Sequence, residues 1–223
     1  MNLAIIIPTY NPPDTFSSLL KSIRKITSKP IIIIDDGSTP KINMDYSGVL
    51  VLRNRHNQGK GYTLIKGFQY AENEGFTHAI TIDADYQHDP ELIDSFLEYD
   101  ENINLVLGTR NFTEDMPIHR RISNKLTSYI ISLLCGKTVL DSQCGYRRYK
   151  LKDVCSESFH EKGFQFESEV LIKLLRNNCT HANLKIPTIY SHENSSINNV
   201  SDTLKIRRIN LSVSLTLLME LFS

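Results

Sequence analysis

Short runs of β-branched and other apolar residues alternate with segments whose apolar positions recur at helical spacing. Leu3–Ile7 (LAIII), closed by Pro8, predicts a strand, and Asp14 or Thr15 then caps a helix whose stripe is Phe16, Leu19, Leu20, Ile23 and Ile26. Ile31–Ile34 runs into Asp35-Asp36-Gly37-Ser38, and Val49–Leu52 precedes a glycine-bearing turn and a helix over Tyr62–Asn73. Ala79–Ile82 ends in Asp83-Ala84-Asp85. Asp89-Pro90-Glu91 then supplies the N-cap, first-position proline and first-turn acid of another helix. Asn104–Leu107 ends in Gly108-Thr109-Arg110.

The second half is less regular. Helical patterns cover Ser123–Leu134 and Phe166–Arg176, separated by the polar segment Asp141–Lys150. A strand is expected near Ala182–Tyr190, then a polar loop (Ser191–Asn199) and a helix from Asp202 whose basic start, Lys205, Arg207 and Arg208, leads into an apolar end. Continuous apolar strands separated by helices predict an α/β fold, with a mainly parallel sheet covered on both faces. In such sheets ligands bind beyond the carboxyl ends of the strands. The polar residues gather at those ends: Thr9, Tyr10 and Asn11; Asp35 and Asp36; Asp83 and Asp85; Arg110.

The length of 223 residues favours one domain with an appendage over two full ones. Twenty-five basic against twenty-five acidic residues leave no net charge, which argues against a nucleic-acid partner. Four cysteines without metal or C-x-x-C spacing, and an N-terminus without a basic leader, place the chain in the cytoplasm as an expectation. Ile209–Phe222, interrupted by Asn210, hydroxyls and Glu220, is too short and polar to span a bilayer.

Asp83, Asp85 and Gln87 offer two carboxylates and an amide at alternate positions, hard oxygen ligands suited to Mg²⁺ or Mn²⁺; the plainer reading is a strand end whose acids cap the next helix. Asp35 and Asp36 suit a ribose or base edge, or else an Asx turn. His88 is a ligand or a solvent-facing loop histidine. Gly59 and Gly61 in NQGKGYT read as a helix-start turn, because neither the P-loop pattern nor G-x-G-x-x-G is present. Arg110, Arg120, Arg121, Arg147 and Arg148 are candidates for gripping a pyrophosphate, or ordinary surface arginines.

Taken together, IIIPTYN (Ile5–Asn11), IIIIDDGS (Ile31–Ser38), NQGKGYTLIKG (Asn57–Gly67), TIDADYQHDPELI (Thr81–Ile93), LGTRN (Leu107–Asn111), R-x-S-N (Arg121–Asn124), DSQCGYRRY (Asp141–Tyr149) and GFQFESEVL (Gly163–Leu171) resemble, in order, family 2 glycosyltransferases of the GT-A fold. The likeness is greatest to the polyprenyl-phosphate (dolichyl-phosphate) branch. The resemblance implies a GT-A domain over 1–200, with a nucleotide-sugar half over about 1–112 and an acceptor half over about 113–200; the basic start and apolar end of 201–223 suit a helix in peripheral membrane contact or one packed on the domain. It implies that Pro8, Tyr10, Ile34 and Asp36 line a nucleoside pocket. Asp83, Ala84, Asp85 and Gln87 would form the metal and pyrophosphate site, and Arg110, Arg121 and Arg147 would contact phosphate. Glu169 matches an acid of the family's F-x-x-E stretch.

The implied reaction is metal-dependent, inverting transfer from a UDP- or GDP-sugar to a polyprenyl (undecaprenyl or dolichyl) phosphate, with Asp85, Arg110 and Asp141 as the reacting set; transfer to a glycan hydroxyl in cell-surface polysaccharide synthesis is the alternative. A lipid phosphate acceptor is already an anion and needs no strong base, whereas a glycan hydroxyl requires a carboxylate, for which Asp141 is the candidate. A non-catalytic nucleotide-sugar-binding module is the alternative from another class. The chain departs from the family at Pro12, where an acid is common, and in SHENSSINNVSD, which lacks the Arg and Lys that relatives carry after the last strand.

Overall fold

The computed structural model describes residues 1–44, 46–111 and 118–187, all within one unit, Met1–Tyr190. The expected C-terminal helix from Asp202 lies outside them. The strands are β1 (Leu3–Thr9), β2 (Ile31–Asp35), β3 (Val49–Arg53), β4 (His78–Thr81), β5 (Leu105–Arg110), β6 (Arg147–Lys150) and β7 (His181–Ile186). The helices are α1 (Phe16–Ile26), α2 (Lys60–Asn73), α3 (Ile93–Leu97), α4 (Ile118–Cys135), α5 (Leu151–Cys155) and α6 (Phe166–Arg176).

They build one seven-stranded sheet, ordered β3-β2-β1-β4-β6-β5-β7. β6 pairs antiparallel with both neighbours and every other pairing is parallel, so the sheet is mainly parallel as expected. The alternation of β1 and β2 decides which helix covers which face. Ile5, Ile7, Ile31 and Ile33 pack with Leu19 and Ile23 of α1 and with Ile93 and Phe96 of α3. Ile6 and Ile34 point the other way, against Gly67 of α2. Each fully buried isoleucine contributes about 1.5–3 kcal/mol, so burial on both faces explains why these strands read as unbroken apolar runs.

Three local expectations need correction. Asp141–Lys150, read as a polar segment, contains β6. The short helix α5 follows it without a sequence signal of its own. Thr15 stands at the N-cap of α1 but its side chain makes no capping bond. At Asp89 the carboxylate does accept from Glu91 N, at 3.0 Å, yet it caps a 3₁₀ turn (Pro90–Leu92) before α3. All four cysteines are free. Among the described residues no helix is long and apolar enough to cross a membrane.

Because β1, β2, β4 and β5 run the same way, their carboxyl ends share one edge of the sheet. The reversed strand β6 begins at that edge. The loop that feeds it, 141–146, therefore lies among the polar strand ends, where Thr81 Oγ1 donates to Gly145 O at 2.6 Å.

Candidate active site

Asp83 leaves β4 with its carboxylate in three-sided contact. Lys60 Nζ, on the first residue of α2, lies 2.7 Å from Asp83 Oδ1 and 2.7 Å from Glu167 Oε1 on α6. His88 Nε2 lies 3.9 Å from Asp83 Oδ2. A Cβ at Gly145 would stand 2.6 Å from that same oxygen, so only glycine lets the 141–146 loop approach the carboxylate. Burial alone would push the Asp83 carboxyl up, but Lys60 chiefly holds it below the usual range. Burial and the Asp83 charge together raise Asp85. Burial likewise opposes the charge on Lys60, and the two carboxylates outweigh it, holding the ammonium charged. His88 is buried and neutral, its pKa pushed down to about 4 by burial.

The turn between the ligand candidates is fixed. Asp85 Oδ1 accepts from Gln87 N at 3.0 Å, and Tyr86, in the left-handed region at φ 59°, is pinned through its hydroxyl to Ser22 Oγ of α1 at 2.7 Å. A non-glycine residue held in that region stores backbone strain of the kind found at functional sites.

Asp83, Asp85 and Gln87 fit a hard divalent cation. Their donors are all oxygen, one carboxylate is raised by the charge of the other, and an ammonium already stands on Asp83 as a stand-in cation. Among the described residues no group of three or more His, Cys, Asp or Glu could hold a metal ion. The remaining coordination would therefore fall to Gln87, water and substrate phosphate, the habit of Mg²⁺.

Arg110, at the end of β5, is held in a fork by Asp141. Its Nε donates to Oδ2 at 2.7 Å and its Nη2 to Oδ1 at 3.1 Å. Asp141 is fully buried and also accepts from Asn124 Nδ2 on α4, at 3.0 Å, and from Gln143 N, at 3.1 Å. Burial would raise its carboxyl, but Arg110 keeps it below the usual carboxylate range. A carboxylate so engaged is a poor proton acceptor. The structure thus gives Asp141 the role of positioning Arg110 and not that of a base.

Other expectations are corrected in the same way. Arg147 is fully buried in β6, its guanidinium donating to the carbonyls of Ser142, Cys144 and Glu167, so it braces the loop beneath the site and does not reach a pyrophosphate. Arg148 is likewise buried and holds the carbonyls of Phe96, Tyr99, Asp100 and Ile103. Ile34 is wholly buried against α2, a core side chain and not a pocket wall. Asp36 accepts from Asn54 Nδ2, Gln58 N and Gly59 N at 2.7–2.9 Å. It therefore clamps the loop that launches α2 at Gly59, whose φ of 97° suits glycine.

Pro8 and Ala84 are partly buried at the ends of β1 and β4, and Tyr10 is exposed beside them. Arg121, one turn before Asn124 on α4, makes no bond to the other site residues among those described. The side chain of Arg120 lies outside the described residues. Glu169 accepts from His160 N and Glu161 N and pairs with Lys173, closing the loop before α6.

Sequence reasoning missed Lys60 and Glu167. The first had a signal, as the lone cation at the start of a helix that follows a glycine turn. Glu167 had only its place two residues before Glu169.

Compared with known proteins, residues 4–156 match the model of "Glycosyl transferase family 2". The chain is 29% identical over 214 residues to the UDP-N-acetylglucosamine–dolichyl-phosphate N-acetylglucosaminyltransferase of Methanococcus voltae, covering 84% of this chain and 85% of that one. It is 26% identical over 191 residues to the undecaprenyl-phosphate mannosyltransferase of Micrococcus luteus, covering 79% of each. Among solved structures, glucosyl-3-phosphoglycerate synthase from Mycobacterium tuberculosis, in complex with Mn²⁺, UDP and glucosyl-3-phosphoglycerate, shares the fold. There the TM-score is 0.73 at 19% identity, over 97% of this chain and 79% of that one. With paired aspartates at the end of β4, an anchored arginine beside them and a family model that spans most of its length, the chain belongs to glycosyl transferase family 2.

Proposed function

We propose that the protein transfers a sugar, with inversion, from a UDP- or GDP-linked donor to a polyprenyl phosphate at the cytoplasmic face of a membrane. The observation that carries the reading is the Asp83–Asp85 pair at the carboxyl end of β4, facing Lys60 and flanked by Arg110 on its Asp141 anchor. A divalent cation, Mg²⁺ or Mn²⁺, held by Asp83, Asp85 and Gln87 would neutralise charge on the departing nucleotide diphosphate.

The chain's own groups do the rest. The fork to Asp141 takes Nε and Nη2 of Arg110, so its Nη1 edge is the part that meets phosphate oxygen as charge develops there. Arg121, on the same flank, adds a second guanidinium. Tyr10 offers an exposed ring to the base, beside the β1 and β2 ends that Asn11 and Ser38 tie together at 2.9 Å.

The state of Asp141 bears on the acceptor. A hydroxyl acceptor needs a free carboxylate, whereas a phosphate monoester attacks as the anion it already is. Phe164, 73% exposed with Lys60 Nζ 5.8 Å from its ring centre, puts an apolar side chain beside an anion site, which suits a lipid-borne phosphate. The relatives named for dolichyl-phosphate and undecaprenyl-phosphate acceptors support the same choice, and the neighbour crystallised with Mn²⁺ and UDP supports the donor half.

The test is a radiolabelled-donor assay with UDP- and GDP-sugars, with and without undecaprenyl or dolichyl phosphate. Label that enters the organic phase only when lipid phosphate and Mg²⁺ or Mn²⁺ are present, and that Asp85→Ala abolishes, is the expected result. Label that passes only to a water-soluble glycan would overturn the acceptor, and no transfer at all would overturn the enzyme.

A further inference from the structure

Helix α4 carries apolar side chains on two sides. Ile131 packs inward among buried polar contacts. Asn124 donates to Asp141, Ser128 Oγ accepts from Ser142 N at 2.9 Å, and Ser132 Oγ accepts from Val139 N at 2.9 Å. Five further apolar side chains face outward at helical spacing: Ile118 is 63% exposed, Ile122 59%, Leu126 57%, Tyr129 66% and Leu133 72%. At a rise of about 1.5 Å per residue, this stripe runs for more than 20 Å. Contiguous apolar surface of that extent marks an interaction site.

The charge pattern selects the partner. The eighteen residues of α4 include Arg120, Arg121 and Lys125 and not one acid. The acid-free stretch runs from Met116 to Leu140 in a chain whose acids and bases balance in total, so the rest of the chain carries the excess of acids. Two copies of such a helix placed face to face would repel, whereas an anionic lipid surface attracts the cations and takes up the apolar stripe. Tyr129, with an apolar ring and a polar tip, suits the headgroup boundary.

We propose that the outward face of α4 is the surface by which the protein docks on an anionic bilayer. The inward bonds of the helix reach the same Asp141 that holds Arg110, so docking through α4 sets the site beside the membrane surface. The inference deepens the acceptor reading by placing a lipid-borne phosphate near Arg110, yet docking itself is open to measurement without any acceptor.

The experiment is co-sedimentation of the full chain with vesicles of phosphatidylglycerol and phosphatidylcholine in equal parts, free of polyprenyl phosphate. The protein is compared with a triple variant, Ile122→Asn, Leu126→Asn and Leu133→Asn, and with Lys125→Glu. Circular dichroism and melting temperature should stay close to the parent, since all four side chains are exposed.

The parent should pellet with the vesicles, the triple variant should lose about tenfold or more in partitioning, and Lys125→Glu should weaken binding chiefly at low salt. A triple variant that pellets like the parent, or a parent that stays in the supernatant, would overturn the proposal. Self-association abolished by the triple variant, with vesicle binding unchanged, would assign the face to a second copy and overturn it too. Vesicle binding without sugar transfer would sink the acceptor reading and leave the docking surface standing. Transfer in detergent without α4-dependent vesicle binding would do the reverse.

Discussion

Lys60→Met removes the ammonium that Asp83 and Glu167 share, and both carboxylates then lie part-buried without their cation. The metal-free protein should melt lower than the parent, while the rise in melting temperature caused by Mn²⁺ alone should be larger, because the ion no longer competes with Lys60 for Asp83. An unchanged response to Mn²⁺ would show that Lys60 does not stand in for the cation. At Asp141 the expected effect is on stability. Asp141→Ala leaves the Arg110 charge part-buried without its partner and should cost about 3–5 kcal/mol in urea unfolding.

The pH dependence at Asp141 has a definite sign. Its carboxyl is held below the usual range in the folded protein, so its contribution is fully present above the ordinary carboxylate range and is lost as pH falls through the folded value. Between about pH 5 and pH 2 the parent should therefore lose more melting temperature than Asp141→Asn, which has nothing to protonate there. Equal losses would refute the anchoring role. The paired aspartates themselves were legible in the sequence, as two acids leaving an apolar strand. Which carboxylates are free to react was not, because that depends on Arg110 and Asn124 arriving from other elements.

At the scale of elements, the parallel strands could be read because burial on both faces makes them continuous apolar runs. β6 could not, because its inward residues include two arginines, neutralised by carbonyl oxygens that only the folded chain brings together. An arginine in a polar stretch reads as a surface or ligand residue, and Arg147 is neither. Arg147→Met should destabilise the fold by about 1–3 kcal/mol for the carbonyls it leaves unmatched. It should leave the affinity of the folded protein for a nucleotide diphosphate unchanged, by calorimetry. A loss of affinity with stability intact would restore it to the phosphate site. The same limit hid the orientation of α4, since periodicity finds an apolar stripe without saying whether it faces the core or the solvent.

For the whole molecule, the gathering of polar residues at strand ends pointed to one edge of the sheet, and the structure brings those ends together there because the strands run the same way. The loop before β6 joins them only because that strand runs backwards, a fact of topology beyond the reach of local pattern. The most direct test of the account is a thermal-shift titration of UDP and GDP with Mn²⁺, in the parent and in Asp85→Ala. Ligand bound to the native state alone raises the melting temperature by mass action. The parent should show a rise with Mn²⁺ and nucleotide together that exceeds the sum of the two alone, and Asp85→Ala should lose that excess while keeping its own baseline stability. The same cooperative rise in the variant would contradict the claim that this carboxylate pair holds the cation on which the nucleotide diphosphate sits.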